Sequence, residues 1–165
     1  MIEGRPEPAF DALHLRCGTL EDLNSVIRVM DAAFSPIYGE GWTRSQCAGI
    51  LPMSGVILTL AEMQGEVVGF SLLRAVADEA ELLLLAVAPR AQRQGVGQKL
   101  LDRFMTDARM RGAHRLHLEV RDGNEAIALY RAAGFEPVGR RVGYYRGLDG
   151  SRRDAVTLAL ETPQY

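Results

Sequence analysis

The residues able to do chemistry concentrate between positions 83 and 135. Leu83-Leu84-Leu85-Ala86-Val87-Ala88-Pro89 runs into Gln92-Arg93-Gln94-Gly95-Val96-Gly97-Gln98, where an amphipathic stretch begins. A strand that feeds a glycine-bearing loop into a helix N-terminus makes a nest of free backbone N–H groups, and the helix dipole reinforces its pull on an anion. The expected ligand is a pyrophosphate, which Gly95 and Gly97 would admit close to the backbone where a Cβ would obstruct it. An ordinary helix start looks much the same, so the loop alone leaves both readings open. It lacks the GxGxxG glycines and the following acid of a dinucleotide site, and the chain has no Gly-Lys-Ser or Gly-Lys-Thr of a Walker loop. Glu119 is a carboxylate on an alternating stretch, suited to general-base work or to plain solvation on an outer face. Tyr130, at helical spacing from Ile127, is either a proton donor or a core aromatic with its hydroxyl at the rim. His117 shares the face of Glu119 and reads as a structural or surface histidine. With His14 and His114 it shows no metal-ligand spacing, and no metal is expected.

These residues need elements to hold them. Thr19 with Asp22, and Thr43 with Gln46, have capping-box spacing and open two helices, the first carried by Leu20, Leu23, Val26, Ile27, Met30 and Phe34 and the second by Cys47, Ile50 and Leu51. Ser35 to Trp42 between them is turn-rich. Val56 to Met63, a Gln64-Gly65 turn and Glu66 to Val76 predict a hairpin. Ala80 to Val87 follows as a strand whose continuous leucines predict cover on both faces, at the centre of the sheet. Gly95 to Arg111 predicts a helix of about four turns, with apolar Val96, Leu100, Leu101, Phe104, Met105 and Ala108 on one side. Leu116, Leu118 and Val120 alternate with His117 and Glu119 as a further strand. Asn124 to Ala133 predicts a helix closed by Gly134. Two last strands, Glu136 to Val142 and Arg153 to Leu160, are joined by Tyr144 to Gly150. The expected class is α/β (α+β): one domain over residues 9–162, built on a central mixed sheet with helices on its faces.

Gln92-x-x-Gly95-x-Gly97 resembles the pyrophosphate motif of the GNAT acetyltransferases, and Asn124 with Ala128-Leu129-Tyr130-Arg131-Ala132-Ala133-Gly134-Phe135 resembles their second signature. Within that family the chain is similar to the RimI branch, which acetylates the N-terminal alanine of ribosomal protein S18. Asp78-Glu79-Ala80, Ala86-Val87, Leu118-Glu119-Val120-Arg121, Ala128-Leu129-Tyr130, Arg140-Arg141 with Tyr144-Tyr145, and Asp154-Ala155 carry that similarity, over about Asp78 to Leu160. The resemblance implies a mostly antiparallel sheet splayed at an acetyl-CoA site. It implies Glu119 as the base for the acceptor amine and Tyr130 as the acid for the leaving thiolate. Leu85, Ala86, Val87, Gln92, Arg93, Gln94, Gly95, Val96, Gly97, Gln98 and Asn124 would bind acetyl-CoA, the co-substrate. Trp42, Tyr144 and Tyr145 would meet the acceptor, a protein N-terminus such as that of ribosomal protein S18. A small-molecule amine, a lysine side chain, or an acyl-CoA sensor without chemistry are the alternatives. The sequence departs from the RimI pattern at two points: Glu119 and Tyr130 are eleven apart, one fewer than expected, and Arg146 replaces a frequent proline.

The bulk properties fit an enzyme of this kind. With 165 residues, 47% of them hydrophobic, one core can be filled but hardly two. A formal charge of -2 argues against a protein built to neutralise nucleic-acid phosphates. The longest apolar run, Leu82 to Ala88, is far short of the roughly 20 residues that cross a bilayer, so no membrane partner is expected. Cys17 and Cys47 form neither a metal-ligand pattern nor a disulfide framework, and a reducing, cytoplasmic location is expected. Residues 1–8 read as an N-terminal extension or a cloning remnant, since Ile2-Glu3-Gly4-Arg5 spells a protease site.

Overall fold

The two capping boxes form as their spacing predicts. The Asp22 carboxylate accepts the Thr19 N–H at 2.9 Å and the Thr19 hydroxyl accepts the Glu21 N–H at 3.2 Å, which satisfies donors that a helix start otherwise leaves bare. In the computed structural model, which describes residues 13–163, one turn of 3-10 helix at Leu20–Asp22 leads into α1 (Leu23–Ala33). Thr43 and Gln46 close the same box at the head of α2 (Arg44–Ile50). The extension expected at residues 1–8 and the boundary at residue 9 lie outside the described residues.

Among the described residues, seven strands follow one another in space as β1 (His14–Cys17), β2 (Val56–Met63), β3 (Glu66–Val76), β4 (Glu79–Val87), β5 (Arg115–Arg121), β7 (Arg152–Glu161) and β6 (Glu136–Arg146). All neighbours are antiparallel except β4 and β5. That parallel pair requires a crossover, which α3 (Val96–Met110) supplies. α4 (Ala126–Ala132) leads from β5 to β6. The sheet is therefore mixed, mostly antiparallel and flanked by helices, as expected.

Each face of the sheet is sealed by one helical layer. Val26, Val29 and Met30 of α1 and Cys47 of α2 pack on Leu58, Leu60, Phe70, Leu72, Leu84 and Ala86. Leu101, Phe104 and Ala108 of α3, with Tyr130 and Phe135, cover Leu73, Leu82, Leu116 and Leu118 on the other face. β4 is thus covered on both sides, the condition its run of leucines predicts. Among the described residues, no helix is long and apolar enough to cross a membrane.

Three elements differ from the sequence expectation. β1 is not predicted: four residues are too few for a readable period, and it exists by pairing with β2 at the sheet edge. β6 runs on to Arg146, so Tyr144 and Tyr145 lie on a strand rather than in a connection. α4 begins at Ala126, two residues after Asn124, because the Asn124 side-chain oxygen is spent capping the Ala126 N–H at 2.8 Å.

Candidate active site

A bulge in β4 builds the site. Leu72 pairs with Leu84 but Leu73 pairs with Leu82, so Leu83 is an extra residue. The extra residue changes which face the side chains take: Leu82 packs on the α3 side, and Leu84 on the α1 side. Pairing between β4 and β5 stops at the same place, with Leu82 opposite Leu118. Beyond it, Leu84 to Val87 pair only with β3, and Glu119 to Arg121 pair only with β7. The sheet therefore opens as a wedge, with the unpaired edge of β4 on one side and Glu119 on the other.

A cavity of about 650 Å³ lies at the mouth of this wedge. It is lined by Leu85, Val87, Gln92, Arg93, Gly95, Val96, Gly97, Gln98 and Asn124. Nine of the eleven residues expected at the cofactor are thereby brought together. Ala86 instead points into the α1 core, which leaves only its backbone toward the wedge. The Gln94 side chain turns back to the Arg90 carbonyl at 3.2 Å. Gln92 also braces the loop, donating to the Val87 carbonyl at 3.0 Å. Arg93 and Gly95 both take left-handed backbone, with φ of 61° and 82°, and this coils the loop under the start of α3. Gly97 has no such backbone need. A Cβ placed there would make only an ordinary 3.5 Å contact with Leu129, so protein packing does not demand glycine. A bare helix start facing a roomy cavity suits a ligand that approaches the backbone closely.

A second, smaller cavity of about 160 Å³ adjoins the first. Glu119, Tyr130, Trp42, Tyr144 and Tyr145 line it together with Leu82 to Leu85. Both candidate catalytic groups and all three candidate acceptor residues therefore share one chamber. Glu119 is ion-paired to Arg141 of β6 at 2.7 Å, its side chain 13% exposed against 61% for the arginine. Tyr145 donates its hydroxyl to the Glu119 carbonyl at 3.3 Å and packs edge-on against Tyr144. Tyr130 is buried, edge-on to Phe135. Burial first, and the negative charge of Glu40 second, hold its phenol well above the ordinary tyrosine value. Tyr145 is raised likewise, chiefly by burial. The chamber thus pairs a buried phenol that stays protonated with a carboxylate held by an arginine, the two kinds of group that proton transfer in two directions uses.

Glu40, Arg121, Tyr38 and Arg153 are not among the site residues expected from the sequence. Glu40, only 9% exposed, accepts from Arg121 Nε at 3.0 Å and from Asn124 Nδ2 at 2.9 Å. The Arg121 guanidinium sits 3.8 Å from the centre of the Tyr38 ring, and Arg153 approaches the same ring at 4.8 Å. An acid between Gly39 and Gly41 reads as a solvated turn, so nothing in the sequence marks Glu40. Arg121 was legible, because the alternation that sets Glu119 on one face of β5 sets Arg121 there too.

Residues 23–135 match the acetyltransferase (GNAT) family. The chain is 43% identical over 97 residues to the [ribosomal protein bS18]-alanine N-acetyltransferase of Escherichia coli (strain K12), a match that spans 58% of this chain and 65% of that relative's length. The crystal structure of the ribosomal-protein-S18-alanine N-acetyltransferase from Escherichia coli superposes with a TM-score of 0.83 at 30% identity, over 93% of this chain and 96% of that one. Ard1 from Thermoplasma volcanium gives a TM-score of 0.79 at 29% identity, over 93% and 99% of the two chains. With its strand, loop and second signature all inside the matched region, the chain belongs to the GNAT acetyltransferase family.

Proposed function

We propose that the protein transfers the acetyl group of acetyl-CoA to the N-terminal α-amine of a protein, with the N-terminal alanine of ribosomal protein S18 as the candidate acceptor. One observation carries this reading: the wedge at the β4 bulge joins a large cavity along the glycine loop to a small chamber holding Glu119 and Tyr130. Acetyl-CoA supplies an acyl group activated as a thioester, and it belongs in the larger cavity.

The roles follow from the chemistry. The N-terminus of α3 with Gln92 to Gln98 receives the pyrophosphate, and the open edge of β4 offers main-chain groups to the amide-bearing arm, as an added strand would use them. Backbone N–H groups of Leu85 to Val87 are the candidate donors to the thioester oxygen as it gains charge. A free α-amine has a pKa of about 7.7 to 8.0 and is mostly protonated at neutral pH, so it must lose a proton before it attacks. Glu119 takes that proton, directly or through a water, and Arg141 must give way as it does. The Tyr130 hydroxyl protonates the departing sulfur. An extended N-terminus lies between Trp42 and the Tyr144-Tyr145 pair, with its amine toward Glu119. Transfer from acetyl-CoA to a nascent or mature ribosomal protein belongs in the cytoplasm.

Thiol release from acetyl-CoA tests the assignment, using hexapeptides that begin Ala-Arg-Tyr, the same peptides N-blocked, and a lysine peptide. The free N-terminus should turn over selectively and activity should collapse on blocking. Turnover confined to lysine or a small amine would leave acetyl transfer standing and remove the acceptor. Binding without turnover would make the protein an acyl-CoA sensor.

A further inference from the structure

Glu40 comes from the connection between α1 and α2, some eighty residues upstream of the two donors it accepts from. Its position is made by backbone. Gly39 has a φ of +70°, and a Cβ there would run into the Arg146 carbonyl; a Cβ at Gly147 would run into the Ile37 carbonyl. The Leu148 N–H donates to the Pro36 carbonyl at 3.2 Å. The connection is therefore pressed onto the end of the β6–β7 hairpin, and Glu40 is delivered to the wedge with one oxygen shared by two donors.

Those donors lead to the two candidate catalytic groups by separate routes. Arg121 is two residues beyond Glu119, on the same face of β5. Asn124 caps the first N–H of α4, and Tyr130 sits four residues further along that helix. The segment from Glu119 to Tyr130 is held at its ends by β5 and α4; between them Asp122 is tied to β7 through its N–H to the Asp154 carbonyl at 2.9 Å and to Arg140 at 2.7 Å, and Glu40 is the contact that joins Arg121 to Asn124. Glu40, Arg121, Asn124 and Ala126 line both cavities, so the group they form is the wall between them.

We infer that Glu40 is a positioning residue for acetyl transfer: by holding Arg121 and Asn124 together it sets the separation of Glu119 from Tyr130 and shapes the cofactor side of the same wall. The inference rests on the acetyl-transfer reading for its kinetic part only. Its chemistry is that of a fixed acceptor, which needs the length of a glutamate and oxygen lone pairs, and not the movement of a proton. Misplacing a catalytic group by about 1 Å can cost two orders of magnitude, mostly in turnover.

The test compares Glu40→Gln, Glu40→Asp and Glu40→Ala, with thermal melts as the folding control. Gln keeps the reach and the acceptor oxygen, so kcat should fall less than about tenfold. Asp keeps the charge but is a methylene short, so it should lose about a hundredfold in kcat, as Ala does, with the amine KM changing much less. Gln as damaging as Ala would overturn the inference and make Glu40 a proton acceptor; Asp equal to the parent would overturn it as well. Adding Asn124→Ala to Glu40→Ala should cost little beyond the larger single loss, whereas additive losses would mean that the two act independently and would sink it. Should Glu40→Ala not fold, the contrast between Gln and Asp decides. Calorimetry with CoA itself separates this inference from the acetyl-transfer reading: whatever amine is acetylated, or if none is, Glu40→Asp should weaken CoA binding by about tenfold, and unchanged affinity would refute the wall.

Discussion

Glu119 and Tyr130 lie in one chamber but have different neighbours. The carboxylate is held by Arg141 at 2.7 Å, and the phenol is buried next to the charge of Glu40. Because the Tyr130 phenol is raised above its ordinary value near 10, it remains an acid throughout the working range. The pH profile of kcat/KM should therefore have no basic limb below about pH 10 that belongs to Tyr130, and Tyr130→Phe should lower turnover by about 10²- to 10⁴-fold without altering the limbs that remain. A limb near pH 9 that vanishes in the phenylalanine variant would remove the tyrosine from its role. Glu119→Gln should cost a similar factor, and the loss should shrink at high pH, where the acceptor amine is already neutral.

At the scale of elements, the start of α3 has a glycine that folding does not ask for. Gly97 stands in the first turn with negative φ and only ordinary contacts waiting for a Cβ, so Gly97→Ala should raise stability by up to about 1 kcal/mol. The same methyl group would stand over the helix N-terminus, and CoA affinity should fall at least tenfold. Calorimetry and a melt on one sample check both signs, and a variant that is more stable with full affinity would remove the phosphate from this loop. The contrast also explains what was legible. Capping boxes, the hairpin turn, the leucine run and the glycine loop are local signals, and they gave α1, α2, β2, β3, β4 and α3 almost to the residue. The wedge is a register effect, one extra leucine in β4, and a continuous apolar run conceals it. Gly143 interrupts the strand pattern just ahead of Tyr144 and Tyr145, whereas β6 absorbs it, at a φ of +63°, as an irregularity opposite Asp154, whose carboxylate accepts the Gly143 N–H. Glu40 depends on contacts across eighty residues, which no local pattern encodes.

Over the whole molecule, the two ends of the sheet are closed by carboxylates whose protonation folding disfavours. At one end Arg16 of β1 reaches Asp22 at 2.8 Å and Glu62 of β2 at 2.7 Å, joining the edge strand to its neighbour and to the start of α1. The Arg16 hydrogen bonds, aided by the Thr19 N–H, hold the Asp22 carboxyl below the ordinary range against an opposing effect of burial. At the other end, Asp154 is lowered first by the Gly143 N–H and then by Arg140. A carboxyl depressed in the folded state contributes stability that is present above its unfolded value, about 3.9, and is lost as pH falls through the lower folded value. The protein should therefore lose stability progressively below about pH 4, with β1 and β6 giving way as the sheet edges. Because Arg16 is partly exposed and its pairing screened, Asp22→Asn should cost only about 1 kcal/mol at pH 7, a fall in Tm of about 2–4 °C. Melts of parent and variant should converge as pH drops toward 3, since the parent then loses what the variant never had. A gap of constant size across that range would place the contribution of Asp22 in its hydrogen bond to the Thr19 N–H, which asparagine could not then be replacing, and not in its charge.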